Sequence, residues 1–274
     1  MEKKIGSIQK KYDFYWLVHP MDEKQRKEWA IRQGVKVEQL IKECPKVIDE
    51  IRDELSGTIG CVLSTPLLPI DLIKRKTVIE QLKMIKLMID PKVPVGLGAW
   101  WATVTRSGKL AKEILDNPII DGYTGTVNRI VEQVYENING ELNRVAIIGG
   151  GNVGKRIYNT LKKYNNIIFD KFKINELNDN GYNAFHVDEL KSMLHEFDIG
   201  ICCTTATVDI IKREDIPEGF VFIDDSYPHS IPDYEGRVDG GMYTDPQVSS
   251  KWLIQNGQVY GCLMELIEKV RETT

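Results

Sequence analysis

The chain has 274 residues, with 36 basic and 40 acidic side chains and a formal charge of −4. That length holds two compact domains with sizeable cores, and nothing in so even a balance suggests a nucleic-acid surface or an acidic-membrane anchor. Cys44, Cys61, Cys202, Cys203 and Cys262 are odd in number and lack C-x-x-C spacing, so no disulfide framework and no metal site is expected, and the reading is a reduced, cytoplasmic protein.

Residues 1–20 are basic, but charge interrupts them before a signal-peptide core can form, and no segment reaches the roughly 20 apolar residues of a membrane span. Residues 14–18 (FYWLV) read as a strand buried on both faces, ending at His19-Pro20. Asp22 suits the N-cap of a helix carrying Trp29 and Ile31, and further helices are expected at 37–43 and 46–55. A strand at 59–63 runs into Ser64-Thr65-Pro66, where proline stops ladder pairing and the two hydroxyls are candidates to line a site. A long amphipathic helix at 72–89 is a candidate homodimer surface, and the glycines of 95–101 (VGLGAWW) imply a closely approached backbone. This alternation makes residues 1–124 an α/β domain.

A helix at 126–138 leads into a second domain, expected over 125–257. Its first strand, 145–148, is followed at once by Gly149-Gly150-Gly151-Asn152-Val153-Gly154, a G-x-G-x-x-G opening a helix, and a strand at 167–169 ends in Asp170. Gly149 permits the tight turn, Gly151 lets backbone N–H groups approach a pyrophosphate, and Gly154 lets the helix pack close to the strand. The phosphates then sit on the helix N-terminus. Asp170, 21 positions beyond Gly149, is placed to accept hydrogen bonds from the adenosine ribose hydroxyls, which favours NADH over NADPH; Lys171 and Lys173 weaken that preference. Further strands at 183–187, 198–203 and 220–224, with a helix at 188–197, complete a doubly wound, Rossmann pattern. Ligands in such sheets lie at the carboxyl ends of the strands, so the loops Cys203-Thr204-Thr205-Ala206 and Asp225-Ser226-Tyr227-Pro228 are candidate cleft linings. A last helix, 258–271, is apolar along one side. It is expected to complete the first domain with residues 258–274 and to pack back over the interdomain cleft.

Reactive candidates are few. His19 reads either as a satisfied histidine at a strand end or as an acid–base group, while Cys262 reads either as a small core hydrophobe or as a nucleophile with Glu265 one helical turn away. A carboxylate alone raises a thiol pKa, so a reactive Cys262 also needs a helix N-terminus beside it, which a helix beginning at Gly261 supplies.

In order along the chain, FYWLVH at 14–19, Leu68-Pro69, Gly96-Leu97-Gly98, Thr124-Gly125, residues 145–154, Ile223-Asp224 with Tyr227-Pro228, Gly240-Gly241 and Cys262-Leu263-Met264-Glu265 resemble the aldehyde-forming long-chain acyl-[acyl-carrier-protein] reductases, relatives of the glutamyl-tRNA reductase and shikimate dehydrogenase type of two-domain enzyme. The resemblance implies reduction of an acyl thioester, on a carrier protein or coenzyme A, to an aldehyde. It makes Cys262 the acyl-accepting nucleophile, Glu265 and His19 its acid–base or orienting partners, and Gly241 part of the cofactor site. The family's cofactor is NADPH, whereas Asp170 argues for NADH. The chain ends twelve residues after Cys262 where the family continues; Trp100 and Trp101 stand where the family has smaller side chains, so a shorter or differently shaped acyl site, with Trp100 in its lining, is expected. A dehydrogenase acting directly on a hydroxyl or carbonyl group, and a dinucleotide-binding regulatory subunit without turnover, are the competing readings.

Overall fold

In the computed structural model, residues 8, 10–32, 34, 36–37, 45–98, 100–138, 140–206 and 208–274 are described. Cys44, and the helix expected at 37–43 apart from Val37, lie outside them. The chain divides into two compact units, Met1–Gly125 with Tyr243–Thr274, and Thr126–Met242.

The first unit is built on strands β1 (Phe14–Val18), β2 (Lys46–Asp53), β3 (Thr58–Ser64), β4 (Val95–Leu97) and β5 (Ile119–Ile120), joined by a late strand, Val248–Ser250. The sheet order is Val248–Ser250, β2, β3, β1, β4, β5. The last four run parallel, and the first two are antiparallel additions at one edge. β1 is apolar and buried throughout, as a parallel strand covered on both faces must be. The final helix, Gly261–Arg271, lays Leu263, Leu266, Ile267 and Val270 on Phe14, Trp16 and Val18. The glycines of β4 are thereby explained: a Cβ at Gly96 would come 2.6 Å from Leu266, and one at Gly98 would come 2.5 Å from the Trp16 indole.

Four sequence expectations change here. The helix expected at 46–55 is strand β2. Its apolar spacing is distorted by a bulge that leaves Ile48 unpaired between Val47 and Asp49, and its inward face carries Asp49 and Asp53. Asp49 accepts from the backbone N–H groups of Lys251, Trp252 and Leu253, and Asp53 takes a bidentate pair from Arg271 at 2.7 and 2.8 Å. Residues 243–257, expected with the dinucleotide domain, lie in the first unit because Val248–Ser250 pairs with β2. The long helix at 72–89 is two, Pro69–Leu72 and Arg75–Lys86, separated where Lys74 turns extended. The last helix starts at Gly261, since Gln258–Tyr260 is a strand paired with Met242–Thr244.

Arg271 also reaches Asp245 at 3.0 Å. Burial alone would raise the Asp53 carboxyl, but Arg271, Ser56 and a backbone N–H hold it below the usual carboxylate range. Arg271→Met strands a buried carboxylate, and the expected loss is about 3 kcal/mol, measurable by urea unfolding at neutral pH. A group with a depressed folded pKa stabilises above its unfolded pKa and loses that stabilisation in acid, so the deficit of the variant should shrink as pH falls.

The second unit is one parallel sheet of β6 (Arg144–Ile148), β7 (Asn165–Asp170), β8 (Ala184–His186), β9 (Ile199–Cys202), β10 (Phe222–Asp224) and β11 (Arg237–Asp239), in the order β11-β10-β9-β6-β7-β8. This is the doubly wound order of a Rossmann sheet, with its reversal between β6 and β9. The helix Tyr123–Asn137 contributes Val127, Ile130 and Val134 to one core layer with Val145, Ile147 and Ile157. Where one helix is expected at 188–197, three single turns follow one another: Val187–Glu189, Leu190–Met193 and Leu194–Glu196.

Candidate functional site

At the reversal in the second sheet, β6 ends in Gly149, whose φ of +104° suits glycine and whose N–H donates to the Phe169 carbonyl at 2.8 Å. A Cβ at Gly149 would press on the Cys203 carbonyl at 2.9 Å, and one at Gly154 would overlap the Gly149 carbonyl oxygen. A Cβ at Gly150 would meet Leu177 at 2.5 Å. Gly151 differs from all three, because a Cβ there would face open space. Nothing in the protein's own packing demands glycine at 151, which leaves its backbone open to a ligand. Gly151 caps the helix Asn152–Thr160 without a side-chain hydrogen bond, so the positive end of that helix is presented at the same point. These residues fit a dinucleotide pyrophosphate.

Asp170, at the end of β7, accepts from the Gly150 N–H at 2.8 Å through one oxygen and from the Phe172 and Lys173 N–H groups at 2.8 and 3.0 Å through the other. Burial would raise its carboxyl, but these bonds and the Lys173 charge bring it below the ordinary range. The carboxylate therefore shapes the glycine turn, a use that the spacing alone does not reveal.

Beyond β9, Thr204 is half-buried, its hydroxyl accepting from the Ala206 N–H at 3.3 Å, and Thr205 is exposed. The Cys203 thiol points to the Ile148 and Gly149 carbonyls at 3.4 and 3.5 Å, and burial followed by Asp225 and Asp224 pushes it up. Beyond β10, Asp224 organises the following loop, accepting from the N–H groups of Ser226, Ser230 and Ile231 at 3.0 to 3.1 Å and from the Ser226 hydroxyl. Tyr227 stands exposed on that loop. Gly241, with φ +70°, donates its N–H to the buried Gln133 side chain at 2.9 Å.

In the first unit, β3 and β4 leave β1 on opposite sides, so the crevice beyond the carboxyl ends of these strands is the ligand position expected of the sheet. His19 lies there, 2% exposed. Its Nδ1–H donates to the Pro20 carbonyl at 2.9 Å and its Nε2 accepts from the Trp100 N–H at 3.0 Å. Burial lowers its pKa to about 4, so the ring is neutral at physiological pH and fastens the Trp100 turn to the end of β1. Trp100 is half-buried at the start of the helical turn Trp101–Val104. The Ser64 hydroxyl donates to the Thr65 carbonyl at 2.8 Å, and the Thr65 hydroxyl is buried without a hydrogen-bond partner among the described residues.

Cys262 sits in the first turn of the final helix and is partly exposed. The stretch around Gly122 and Gly125 docks on that turn. A Cβ at Gly122, where φ is +76°, would collide with Cys262, and one at Gly125 would overlap the Gly261 carbonyl. The Gly125 N–H donates to Glu265 at 2.9 Å, and the Gly125 carbonyl accepts from the Tyr243 hydroxyl at 3.3 Å. Glu265 thus ties the chain at 125 to the helix one turn beyond the thiol. The close fit of Gly122 was not read from the sequence, although its pairing with Gly125 in a Gly-x-x-Gly was the available signal. Among the described residues no cluster of three or more His, Cys, Asp or Glu side chains is placed to hold a metal, and no helix is long and apolar enough to cross a membrane.

No family model matches the chain. A glutamyl-tRNA reductase from Caldivirga maquilingensis is 29% identical over 148 residues, covering 50% of this chain and 36% of that protein, so the chain matches little more than a third of its curated relative's length. Among solved structures, the shikimate dehydrogenase of Aquifex aeolicus is 13% identical with a TM-score of 0.43, covering 79% of each chain. The dipicolinate synthase A chain of Bacillus subtilis is 15% identical with a TM-score of 0.39, covering 80% of this chain and 83% of that one.

Proposed function

We propose that this chain is a nicotinamide-dependent reductase that forms an aldehyde from an acyl thioester, with Cys262 as acyl acceptor. The observation that carries the proposal is the place of Cys262 among the cysteines. Cys203 and Cys262 are both partly exposed, but among the described cysteines Cys262 is the one on the first turn of an eleven-residue helix, whose dipole stabilises a thiolate. Cys61 is instead buried and pushed up to about 12, and burial raises Cys202 and Cys203 as well. The similarity to glutamyl-tRNA reductase, named for reducing a glutamyl-tRNA, supports an activated acyl group on a carrier as the substrate class.

The Cys262 thiolate attacks the thioester carbonyl, the carrier thiolate leaves and takes a proton, and the acyl group remains on sulfur in a bond of similar energy. A bound nicotinamide supplies the hydride that reduces this enzyme-bound acyl group, and NADH is the form Asp170 favours. Collapse of the resulting hemithioacetal releases the aldehyde and returns the thiol. Glu265 holds the Gly125 segment against the sulfur-bearing turn and keeps a carboxylate one turn away for the protons of exchange and collapse. His19, with both ring nitrogens engaged by backbone, serves as a positioning residue for Trp100 at the acyl site. Ser64, Thr65 and Tyr227 are the further substrate-lining residues in this reading, and Thr204, Thr205 and Gly241 complete the cofactor side.

Intact-protein mass spectrometry after incubation with a panel of acyl thioesters, without cofactor, tests this. An adduct that maps to Cys262 is expected. Turnover of NADH with a hydroxyl or carbonyl substrate and no adduct would replace the proposal with direct dehydrogenation. NADH binding without turnover of any of these would leave a regulatory subunit.

A further inference from the structure

One buried donor of the first unit has no role in the reading above. Trp16 is 3% exposed, and its Nε1–H is enclosed without a hydrogen-bond partner among the described residues. Buried donors are nearly always paired, because an unmade bond costs the full desolvation of the group. Trp16 stands beside Gly96 in the register of β1 and β4, yet its Nε1 would lie 2.5 Å from a Cβ at Gly98. The indole therefore leans along the sheet, and its N–H edge lies at the carboxyl end of β4, on the bare backbone of the glycine that follows the strand.

The final helix brings a reactive turn to the same place. Leu266 lies 2.6 Å from where a Gly96 Cβ would be, and Arg271, at the far end of the helix, reaches Asp53, which pairs with Thr58 at the start of β3. The helix thus runs against the direction of β1, β3 and β4, and its first turn, with Cys262, stands at their carboxyl ends. Tyr260 precedes that turn, its ring centroid 5.8 Å from that of the indole, and Cys262 packs on the core cluster that contains Trp16. No side chain caps the helix, so its positive end and the orphaned indole N–H lie together beside the thiol. Resting on the thioester reading, we propose that the Trp16 N–H is the oxyanion donor of this site, receiving the carbonyl oxygen of the acyl group that Cys262 accepts.

The chemistry needs such a donor twice. As the Cys262 thiolate adds to the thioester carbon, a carbon–sulfur bond forms and the π pair of the carbonyl moves to oxygen. That pair returns as the bond to the carrier sulfur breaks, and the carrier thiolate leaves and takes a proton. Reduction of the acyl carbon moves the pair to oxygen again. A donor already dehydrated and held in place stabilises that charge without shedding water or turning. The indole is a donor only, and neutral at physiological pH. The neighbouring polar side chain, Glu265, is a carboxylate accepting from the Gly125 N–H at 2.9 Å, so it opposes an oxyanion rather than holding one. The indole N–H is closed to water in the free protein, and Tyr260, 44% exposed beside it, is the side chain that yields to the entering acyl group.

The test is infrared difference spectroscopy of the full chain, acylated without cofactor by a thioester whose carbonyl carries a carbon isotope label, beside single-turnover acylation rates. The carbonyl band of the acyl-enzyme is expected at lower wavenumber than that of the same thioester in an aprotic solvent, the signature of a hydrogen bond to oxygen. Trp16→Phe keeps an aromatic ring and removes the N–H, so the band should move back toward the unbonded position. Acylation should slow by about a hundredfold or more, with the half-saturating thioester concentration within about twofold. A purely structural role for the indole would leave the band where it is. An unbonded band in the unaltered protein, a lowered band that survives in Trp16→Phe, or acylation of that variant within about threefold of the unaltered rate overturns the inference and leaves the covalent route standing. If the variant does not fold, the Nε1–H magnetic resonance of Trp16 in the unaltered protein decides: it should move downfield on acylation, and an unmoved resonance overturns the inference. Failure of every acyl thioester to leave an adduct on Cys262 overturns the thioester reading, and the inference with it.

Discussion

Replacing Cys262 by alanine is expected to lower acyl-thioester reduction by roughly a thousandfold or more, as loss of a covalent nucleophile does, while the dissociation constant for NADH stays within about twofold. Alanine keeps the Cβ, so the packing against Gly122 is retained and the change removes only the sulfur at a partly exposed position. The structural cost is therefore small, at most about 1 kcal/mol, which separates loss of chemistry from loss of fold. Stopped-flow NADH absorbance with the thioester identified by mass spectrometry reads the rate, and tryptophan quenching by NADH reads binding. Turnover at the unaltered rate in Cys262→Ala would remove the covalent route.

The dinucleotide loop is legible in the sequence because local chemistry dictates it. Parallel strands covered on both faces are unbroken apolar runs, and a turn that packs a helix on such a strand needs glycine at fixed offsets. β6, the helix Asn152–Thr160 and Asp170 all follow from that logic. β2 does not, because its inward acids are satisfied by groups more than 200 residues away: Asp49 by the backbone at 251–253 and Asp53 by Arg271. Read locally, those acids look solvent-facing, and Ile48 and Ile51, three apart across a bulge, imitate a helical stripe. The candidate site divides the same way. The spacing of Cys262 and Glu265 is local and was visible, whereas the carboxylate partner of Glu265, the Gly125 N–H, comes from 140 residues away. Nor could the sequence tell Asp224 from Asp225. The first is the centre of a hydrogen-bonded loop and the second has no donor among the described residues, and only the folded backbone separates them.

The four glycines of the phosphate loop should separate under substitution by alanine according to what each lies against. At Gly154 the new methyl would overlap the Gly149 carbonyl and stand 3.2 Å from the Cys203 sulfur. The Gly149 carbonyl is backbone and cannot swing away, since its turn is fixed by the hydrogen bond from the Gly149 N–H to the Phe169 carbonyl. The helix must withdraw from β6, and Ile157 and Leu161 lose their seating on Val145 and Ile147. We expect Gly154→Ala to cost about 3 kcal/mol or more and to weaken NADH binding by about a hundredfold, because the helix N-terminus leaves the phosphate position. Gly151→Ala is the contrasting case. Its φ of −76° suits alanine and its methyl meets nothing, so stability should stay within about 0.5 kcal/mol or rise slightly, while the methyl occupies the space of the pyrophosphate and NADH binding falls at least about tenfold. Thermal unfolding and NADH titration of the two variants side by side make the comparison. A Gly151→Ala chain that binds NADH as tightly as the unaltered protein would mean that the open space above that turn holds no phosphate.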